Sequence, residues 1–125
     1  MHKNLTITSV LGILAVVLGA FGAHALKNKL SIDGLNSFET AVRYQMYHVL
    51  VLLFVHSYQG FSDKTKKSIS VLFFIGIALF SGSIYVIQWT AKSIWFVTPL
   101  GGLFLIIGWG AMSWSFAKKK STINS

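Results

Sequence analysis

Long apolar stretches alternate with short polar ones along the whole chain. Four apolar segments stand out, and each has about 20 residues, the length that an α-helix needs to cross about 30 Å of hydrocarbon. They run over Leu5–Leu26, Phe38–Tyr58, Ile69–Trp89 and Trp95–Phe116. A helix satisfies its own backbone polar groups in lipid. The pattern therefore predicts an all-α membrane protein, in which four antiparallel transmembrane helices form one compact bundle over residues 1–125.

The composition agrees with a lipid environment for these helices. The chain is 54% hydrophobic and 11% charged, whereas a soluble domain is about 25% charged. An ordinary soluble domain, a disordered chain and a nucleic-acid-binding protein are therefore excluded. The chain has no Cys, which excludes disulfides, thiolate metal sites and Cys nucleophiles.

The formal net charge of +8 indicates topology rather than nucleic-acid binding, because nearly all of the Lys residues lie between or beyond the apolar segments. Seven Lys residues fall on one predicted side of the membrane and three on the other. The seven are Lys3, Lys64, Lys66, Lys67, Lys118, Lys119 and Lys120, and the three are Lys27, Lys29 and Lys92. Cytoplasmic loops carry an excess of basic residues, so both termini are expected in the cytoplasm.

The first segment has two interpretations. Lys3, the apolar run and the sequence AHA at 23–25 imitate a signal peptide with its cleavage site. However, the run is longer than the usual apolar region of about 7–15 residues, and small residues share one face of it. These are Gly12, Ala15, Gly19, Gly22 and Ala23. Small residues let helices approach closely, so this stripe favours a retained, packed helix.

Faces that contain small residues also occur in the last two segments. Gly101, Gly108 and Ser115 repeat every seven residues, as in the seam of a left-handed helix pair. In the third segment one face is shared by Ala78, Ser81, Gly82, Tyr85 and Trp89. Both patterns predict close packing between helices.

The second segment carries most of the polar residues. Glu39 and Arg43 are four residues apart, which predicts an ion pair on one face near the outer end of the helix. Ionisable groups in a membrane helix are expensive, so such a pair either fixes the depth of the helix or has a function. His24 ends the first helix on the same side. With Glu39 and Arg43 it could form a cluster that binds a lipid phosphate.

His48 lies near the middle of the second segment, on a different side from Arg43 and together with Tyr44, Gln45 and His56. One hypothesis is that His48 hydrogen-bonds to a facing helix and fixes the packing. The other is a proton relay, because imidazole titrates near neutrality. His48 and His56 are about 12 Å apart along a helix, too far to share a metal ion. The candidate functional or lipid-binding residues are His24, Glu39, Arg43, Tyr44, Gln45, Tyr47 and His48.

Several stretches resemble the bacterial membrane family called domain of unknown function 423, whose relatives include vertebrate transmembrane protein 256. They are GAFGAHALK at 19–27, FETAVRYQMYH at 38–48, FSGSIY at 80–85, TPLGG at 98–102 and GW at 108–109. The resemblance covers the four segments in order and implies a multipass protein of the bacterial cytoplasmic membrane. It implies no catalytic residue, substrate or cofactor.

These features favour a non-enzymatic protein that is a structural, lipid-binding or partner-binding component of the membrane. The expected partners are membrane lipids and either a second copy or another membrane protein, with no metal, cofactor or nucleic acid. The alternative is a small proton-linked transporter or channel that uses the polar second helix. By family analogy, small drug exporters of four helices depend on an acid embedded in the first helix. The first segment here has none, which weighs against transport.

The predicted topology is testable with reporter fusions after Lys29 and Ser125. The two positions should lie on opposite sides of the membrane, because the Lys excess places the C-terminus in the cytoplasm. A reporter that is active only in the cytoplasm should give a signal at Ser125 and none at Lys29. Equal signals would contradict the four-span topology.

Overall fold

The computed structural model describes residues 2–90 and 92–124, with side chains described for residues 3–90 and 92–118. Within these ranges the chain forms four α-helices and no strand. The helices are α1 (His2–His24), α2 (Ile32–Ser57), α3 (Asp63–Thr90) and α4 (Val97–Asn124). The predicted all-α fold with one helix for each apolar segment is confirmed.

Two of the helices, α2 and α3, begin before their predicted apolar boundaries because polar residues cap them. Ser31 accepts a hydrogen bond from the backbone N–H of Gly34 at 3.0 Å, and α2 therefore begins six residues before Phe38. In the same way, Ser62 accepts from the N–H of Thr65 at 3.2 Å at the start of α3. Side-chain oxygens at these positions satisfy N–H groups that have no partner within the helix. The caps thus determine where α2 and α3 begin. The apolar residues determine which part of each helix can lie in lipid.

Three of the described helices are long and apolar enough to cross a membrane: Lys3–His24, Asp63–Thr90 and Val97–Lys118. The remaining helix, α2, has 26 residues and is long enough, but it is less apolar. It lies between α1 and α3 and packs on both of them. Its position therefore makes α2 a fourth spanning helix, whose polar groups are accommodated by the neighbouring helices.

The backbones pack in chain order, α1 on α2, α2 on α3 and α3 on α4. In the described part of the chain, no Cα of α1 lies within 8 Å of a Cα of α4. The bundle is consequently open between α1 and α4, and one side of α2 faces outward through this gap. The largest cluster of buried apolar side chains joins the other three helices. It contains Leu52, Val55, Phe61, Ile69, Phe73, Ile77, Leu105 and Met112.

Small residues make the closest helix contacts, as their spacing predicts. A Cβ atom added to Gly22 would lie 2.7 Å from Phe38 Cε1, and one added to Gly108 would lie 2.8 Å from Phe73 Cε1. Ala15, on the small-residue stripe of α1, is also buried.

Not every small residue on the predicted faces is in contact. Ala23 and Ala78 are exposed, and a Cβ at Gly82 would meet no atom within 4 Å. The face predicted for the third segment was therefore too broad. Its inner part is the buried Ser81 together with Tyr85, whereas Trp89 is exposed.

Two glycines of α4 differ in their surroundings and allow a controlled comparison. A Cβ at Gly101 would meet backbone atoms of Leu79 and Phe80, whereas a Cβ at Gly110 would meet nothing within 4 Å. Gly101→Ala should lower the free energy of unfolding by about 1–3 kcal/mol, since overpacking forces the helices apart. Gly110→Ala should cause no loss. Unfolding titrations in detergent would measure both, and equal losses would contradict the close contact of α3 with α4.

Candidate functional site

The polar residues in the middle of α2 are directed at all three neighbouring helices. Gln45 is 3% exposed and His48 is 4% exposed. They are three residues apart, so they lie about one turn from each other along the helix. Both groups would be costly in hydrocarbon if they had no hydrogen-bond partner.

Gln45 connects α2 with α1 and α3. Its Nε2 donates to the backbone oxygen of Leu11 at 2.7 Å, and its Oε1 accepts from the hydroxyl of Tyr85 at 2.7 Å. One turn away, Ser81 of α3 donates to the backbone oxygen of Ala41 at 2.7 Å. These bonds tie three helices together at one depth.

His48 connects α2 with α4. Its Nε2 lies 3.0 Å from Nε1 of Trp109, and its Nδ1 lies 2.6 Å from the backbone oxygen of Tyr44. An indole N–H can only donate and a carbonyl oxygen can only accept. The ring is therefore assigned a hydrogen on Nδ1 and a lone pair on Nε2. This neutral tautomer satisfies both partners, whereas a proton on Nε2 would remove the bond from Trp109.

The structure thus contains the expected hydrogen bond from His48 to a facing helix. Phe73 also packs on the His48 ring, with ring centroids 5.3 Å apart. His48 is enclosed by α2, α3 and α4, and both ring nitrogens are occupied. This geometry suits a fixed packing contact better than a group that exchanges protons.

The two tyrosines near His48 lie at the surface. Tyr44 is partly exposed and stacks on Phe80 of α3, with ring centroids 5.0 Å apart. Tyr47 is 53% exposed and contacts Tyr44 at a centroid distance of 6.0 Å. The structure therefore places Tyr44 beside the buried network, and it places Tyr47 on the outward side of α2.

The predicted ion pair of Glu39 with Arg43 is not formed in the part of the chain that the structure describes. Both side chains are exposed, and Nη2 of Arg43 donates to the hydroxyl of Thr40 at 3.1 Å. Thr40 lies three residues from Arg43, on the same side of the helix. His24 is exposed at the end of α1, and no contact joins it to Glu39 or Arg43. The three residues of the predicted phosphate cluster are therefore not brought together in the structure.

Arg43 lies near the middle of α2, because the helix begins at Ile32, before the predicted segment. It is five residues from His48, which corresponds to about 7.5 Å along α2. His48 bonds to Trp109, which lies well inside the apolar span Val97–Lys118. Half of the hydrocarbon layer is about 15 Å thick, so a membrane centred on the span Val97–Lys118 would place the backbone at Arg43 within its apolar layer.

Several partners of these residues were not singled out as candidates from the sequence. The carbonyl of Leu11 has no sequence signal, and Trp109 was noted only within the stretch GW at 108–109. His56 was grouped with His48, but it lies at the far end of α2, where its Nε2 is 3.2 Å from the hydroxyl of Ser70. No group of three His, Cys, Asp or Glu side chains among the described residues could hold a metal ion.

Fold and site together define an integral membrane protein of four helices, in which a polar second helix is hydrogen-bonded to its three neighbours. The family described as Protein of unknown function (DUF423) matches residues 18–102, and the chain belongs to it. The family comprises uncharacterised membrane proteins for which no catalytic function is known.

The relatives are bacterial membrane proteins. A UPF0382 membrane protein of Staphylococcus saprophyticus is 44% identical over 77% of this chain and 81% of its own length. One from Haemophilus influenzae is 36% identical over 96% of this chain and 98% of its own length. The UPF0382 inner membrane protein YgdD of Escherichia coli is 33% identical over 86% of this chain and 84% of its own length. No solved structure matches the chain.

The bond between Trp109 and His48 is testable by removing its donor. Trp109→Phe keeps an aromatic ring but leaves Nε2 of His48 without a donor. We expect a loss of about 0.6 kcal/mol in the free energy of unfolding, the average for hydrogen bonds between membrane helices, and of no more than about 1.7 kcal/mol, the largest value found for one. Trp114→Phe is the matched control, because Trp114 is 71% exposed on the same helix. Similar losses in the two variants would show that the indole N–H of Trp109 contributes nothing.

Proposed function

We propose that this chain is a non-enzymatic component of the bacterial cytoplasmic membrane, with both termini in the cytoplasm. We further propose that it acts by assembling with a second copy through the outer face of α2. This outer face consists of Glu39, Arg43, Tyr47, Leu50 and Phe54. All five side chains are exposed. At 100° per residue they fall within about 80° of one another around the helix.

The observation that carries the proposal is the exposure of two opposite charges on the part of α2 that a membrane centred on the bundle would enclose. Glu39 and Arg43 are exposed and do not pair with each other among the described residues. An Arg at the centre of a membrane helix costs about 2.5–3.5 kcal/mol on insertion scales. Part of this cost is relieved when the side chain extends towards the headgroups. The carboxylate of Glu39 has no such flexible stem, so a positive partner on another molecule would stabilise it.

The spacing of the two charges suits a symmetric pair of α2 helices. Two copies related by a two-fold axis along the membrane normal would have parallel α2 helices and identical contacting faces. Glu39 of each copy would then lie beside Arg43 of the other, with a difference in height of about 6 Å. The Arg side chain is long enough to bridge this distance. Two reciprocal ion pairs would form, and no charge would be left facing lipid.

The rest of the outer face also suits a helix partner. Its members are separated by four, four, three and four residues, which is typical of a seam between two helices. Because α1 and α4 do not meet, their backbones leave this seam open in the described chain, and only Phe54 at its lower end contacts α4, through the ring of Phe116. Tyr47, Leu50 and Phe54 would form the apolar contact below the charges.

The geometry favours assembly over proton transport. The chain has three acidic residues, Asp33, Glu39 and Asp63, and all of them are exposed. No buried carboxylate therefore accompanies His48 in the interior of the bundle. Both ring nitrogens of His48 are already used in packing contacts.

Disulfide cross-linking in membranes would test the assembly, because the chain has no native Cys. Tyr47→Cys should form a cross-linked dimer on mild oxidation, since this position lies in the middle of the seam. Ile106→Cys is the control. Ile106 is 68% exposed on α4 and lies within a turn of the same depth, as the bond from Trp109 to His48 shows. Equal cross-linking of the two variants would indicate random collisions and contradict the proposal.

Charge reversal would then separate pairing between copies from pairing within one copy. In the Tyr47→Cys protein, Glu39→Arg alone and Arg43→Glu alone should each lower cross-linking. When the two single variants are co-expressed, mixed dimers should recover it, because each Arg meets a Glu of the other copy. An ion pair within one chain cannot produce this recovery. Failure of the mixture to recover would exclude the reciprocal pairs.

A further inference from the structure

We infer that the chain has a binding site for a phosphate group at the opposite end of α2, in a pocket between α1, α2 and α3. The pocket has a volume of about 350 Å³ and is lined by Asn4, His56, Asp63, Lys66 and Lys67. It lies about 25 Å along α2 from Glu39. The site is therefore separate from the proposed assembly face and does not depend on it.

Lys66 is the residue that points to a ligand. It is only 7% exposed, whereas its neighbours Lys64 and Lys67 are exposed. A buried charge is costly unless an opposite charge or several hydrogen bonds compensate it. Lys66 thus differs from the solvated Lys residues that mark the topology of the chain.

The contacts of Lys66 leave part of its hydrogen-bonding capacity free for a ligand. Its Nζ donates to the backbone oxygen of His56 at 3.2 Å. This bond satisfies a carbonyl in the last turn of α2, which is a structural role. An ammonium group has three N–H donors, and no carboxylate of the described chain forms an ion pair with Lys66. An anion in the pocket would supply both the missing charge and the missing acceptors.

The other lining residues favour an anion over a cation. Lys66 and Lys67 contribute two positive charges, and Asp63 contributes one negative charge. The amide of Asn4 adds a neutral donor from the first turns of α1. The pocket therefore keeps a net positive charge, with donors on two different helices. Phosphate is the anion that suits such a site, because its oxygens accept several charged hydrogen bonds at once.

The location indicates where the phosphate would come from. The pocket lies where α1 begins, α2 ends and α3 begins, which is the side with the Lys excess. Basic pockets between membrane helices on the cytoplasmic side are suited to lipid headgroups. An anionic phospholipid and free phosphate share the same recognised group, so the experiment compares these two sources.

The test uses the full-length protein in detergent and measures how phosphatidylglycerol, phosphatidylcholine or inorganic phosphate shifts its thermal unfolding. Lys67→Gln removes a charge that lines the pocket. Lys64→Gln removes the same charge from the same exposed turn of α3, outside the pocket. Lys66→Gln is a third variant, and its interpretation requires that it still folds, since Lys66 also caps α2.

We expect phosphatidylglycerol to stabilise the wild-type protein and the Lys64→Gln variant by the same shift. Lys67→Gln should weaken this binding about tenfold, the effect of losing one charged hydrogen bond. Inorganic phosphate that stabilises the protein with the same dependence on Lys67 would identify a soluble source for the same site. Three results would overturn the inference. They are equal weakening by Lys64→Gln and Lys67→Gln, stabilisation by phosphatidylcholine equal to that by phosphatidylglycerol, and no stabilisation by either lipid or by inorganic phosphate. Cross-linking at Tyr47→Cys should be unaffected by Lys67→Gln, so failure of this site and failure of the assembly are distinguishable.

Discussion

A polar side chain in a bilayer must find its hydrogen-bond partner within the protein, and this constraint determines how the four helices fit together. Gln45 reaches a carbonyl of α1 and a hydroxyl of α3, and His48 accepts from an indole of α4. Lipid offers none of these partners. Helix α2 is the least apolar of the four, yet it can span the membrane because its neighbours supply what water would otherwise provide.

The hydrogen bonds depend in turn on the small residues. A donor on α2 reaches a backbone oxygen of α1 only where the two helices approach closely. Gly19 allows this approach, since a Cβ there would already lie 3.3 Å from Val42. A larger side chain at Gly19 or Gly22 would widen the spacing and lengthen the bond from Gln45 to Leu11. The small-residue face and the polar centre are therefore two parts of one packing arrangement.

The sequence was sufficient to predict the fold class, because a long apolar run has few alternatives to a spanning helix. It was less informative about the ends of the helices, which depend on local caps such as Ser31 and Ser62. It predicted that His48 would contact a facing helix, but not that Trp109 would be the donor. That choice depends on the relative register of α2 and α4, which no spacing within one segment specifies.

The surroundings of two charged residues could not be predicted from the sequence. The spacing of Glu39 and Arg43 predicted an ion pair, but spacing does not specify the side-chain conformation, in which the guanidinium of Arg43 binds Thr40 instead. The sequence also did not distinguish Lys66 from the other basic residues of its loop, whereas the structure buries it between three helix ends. In both cases the chemistry of a charged side chain depends on neighbours that only the packed bundle defines. Charges without an ion partner in the folded chain are also the places where the proposed second copy and the proposed phosphate would bind.

The family match covers α2 and α3 completely but ends before Trp109. Within the matched region, two side chains of α3 donate hydrogen bonds to α2. Tyr85 donates to the side-chain oxygen of Gln45, and Ser81 donates to the backbone oxygen of Ala41. The contact with α1 uses a backbone oxygen, which every residue at position 11 would provide. Only the contact with α4 requires a particular side chain outside the matched region. The pair of α2 and α3 therefore holds most of the specific polar contacts. In α1 the small residues at the contact matter more than the identity of the acceptor, and in α4 the hydrogen bond to His48 depends on Trp109.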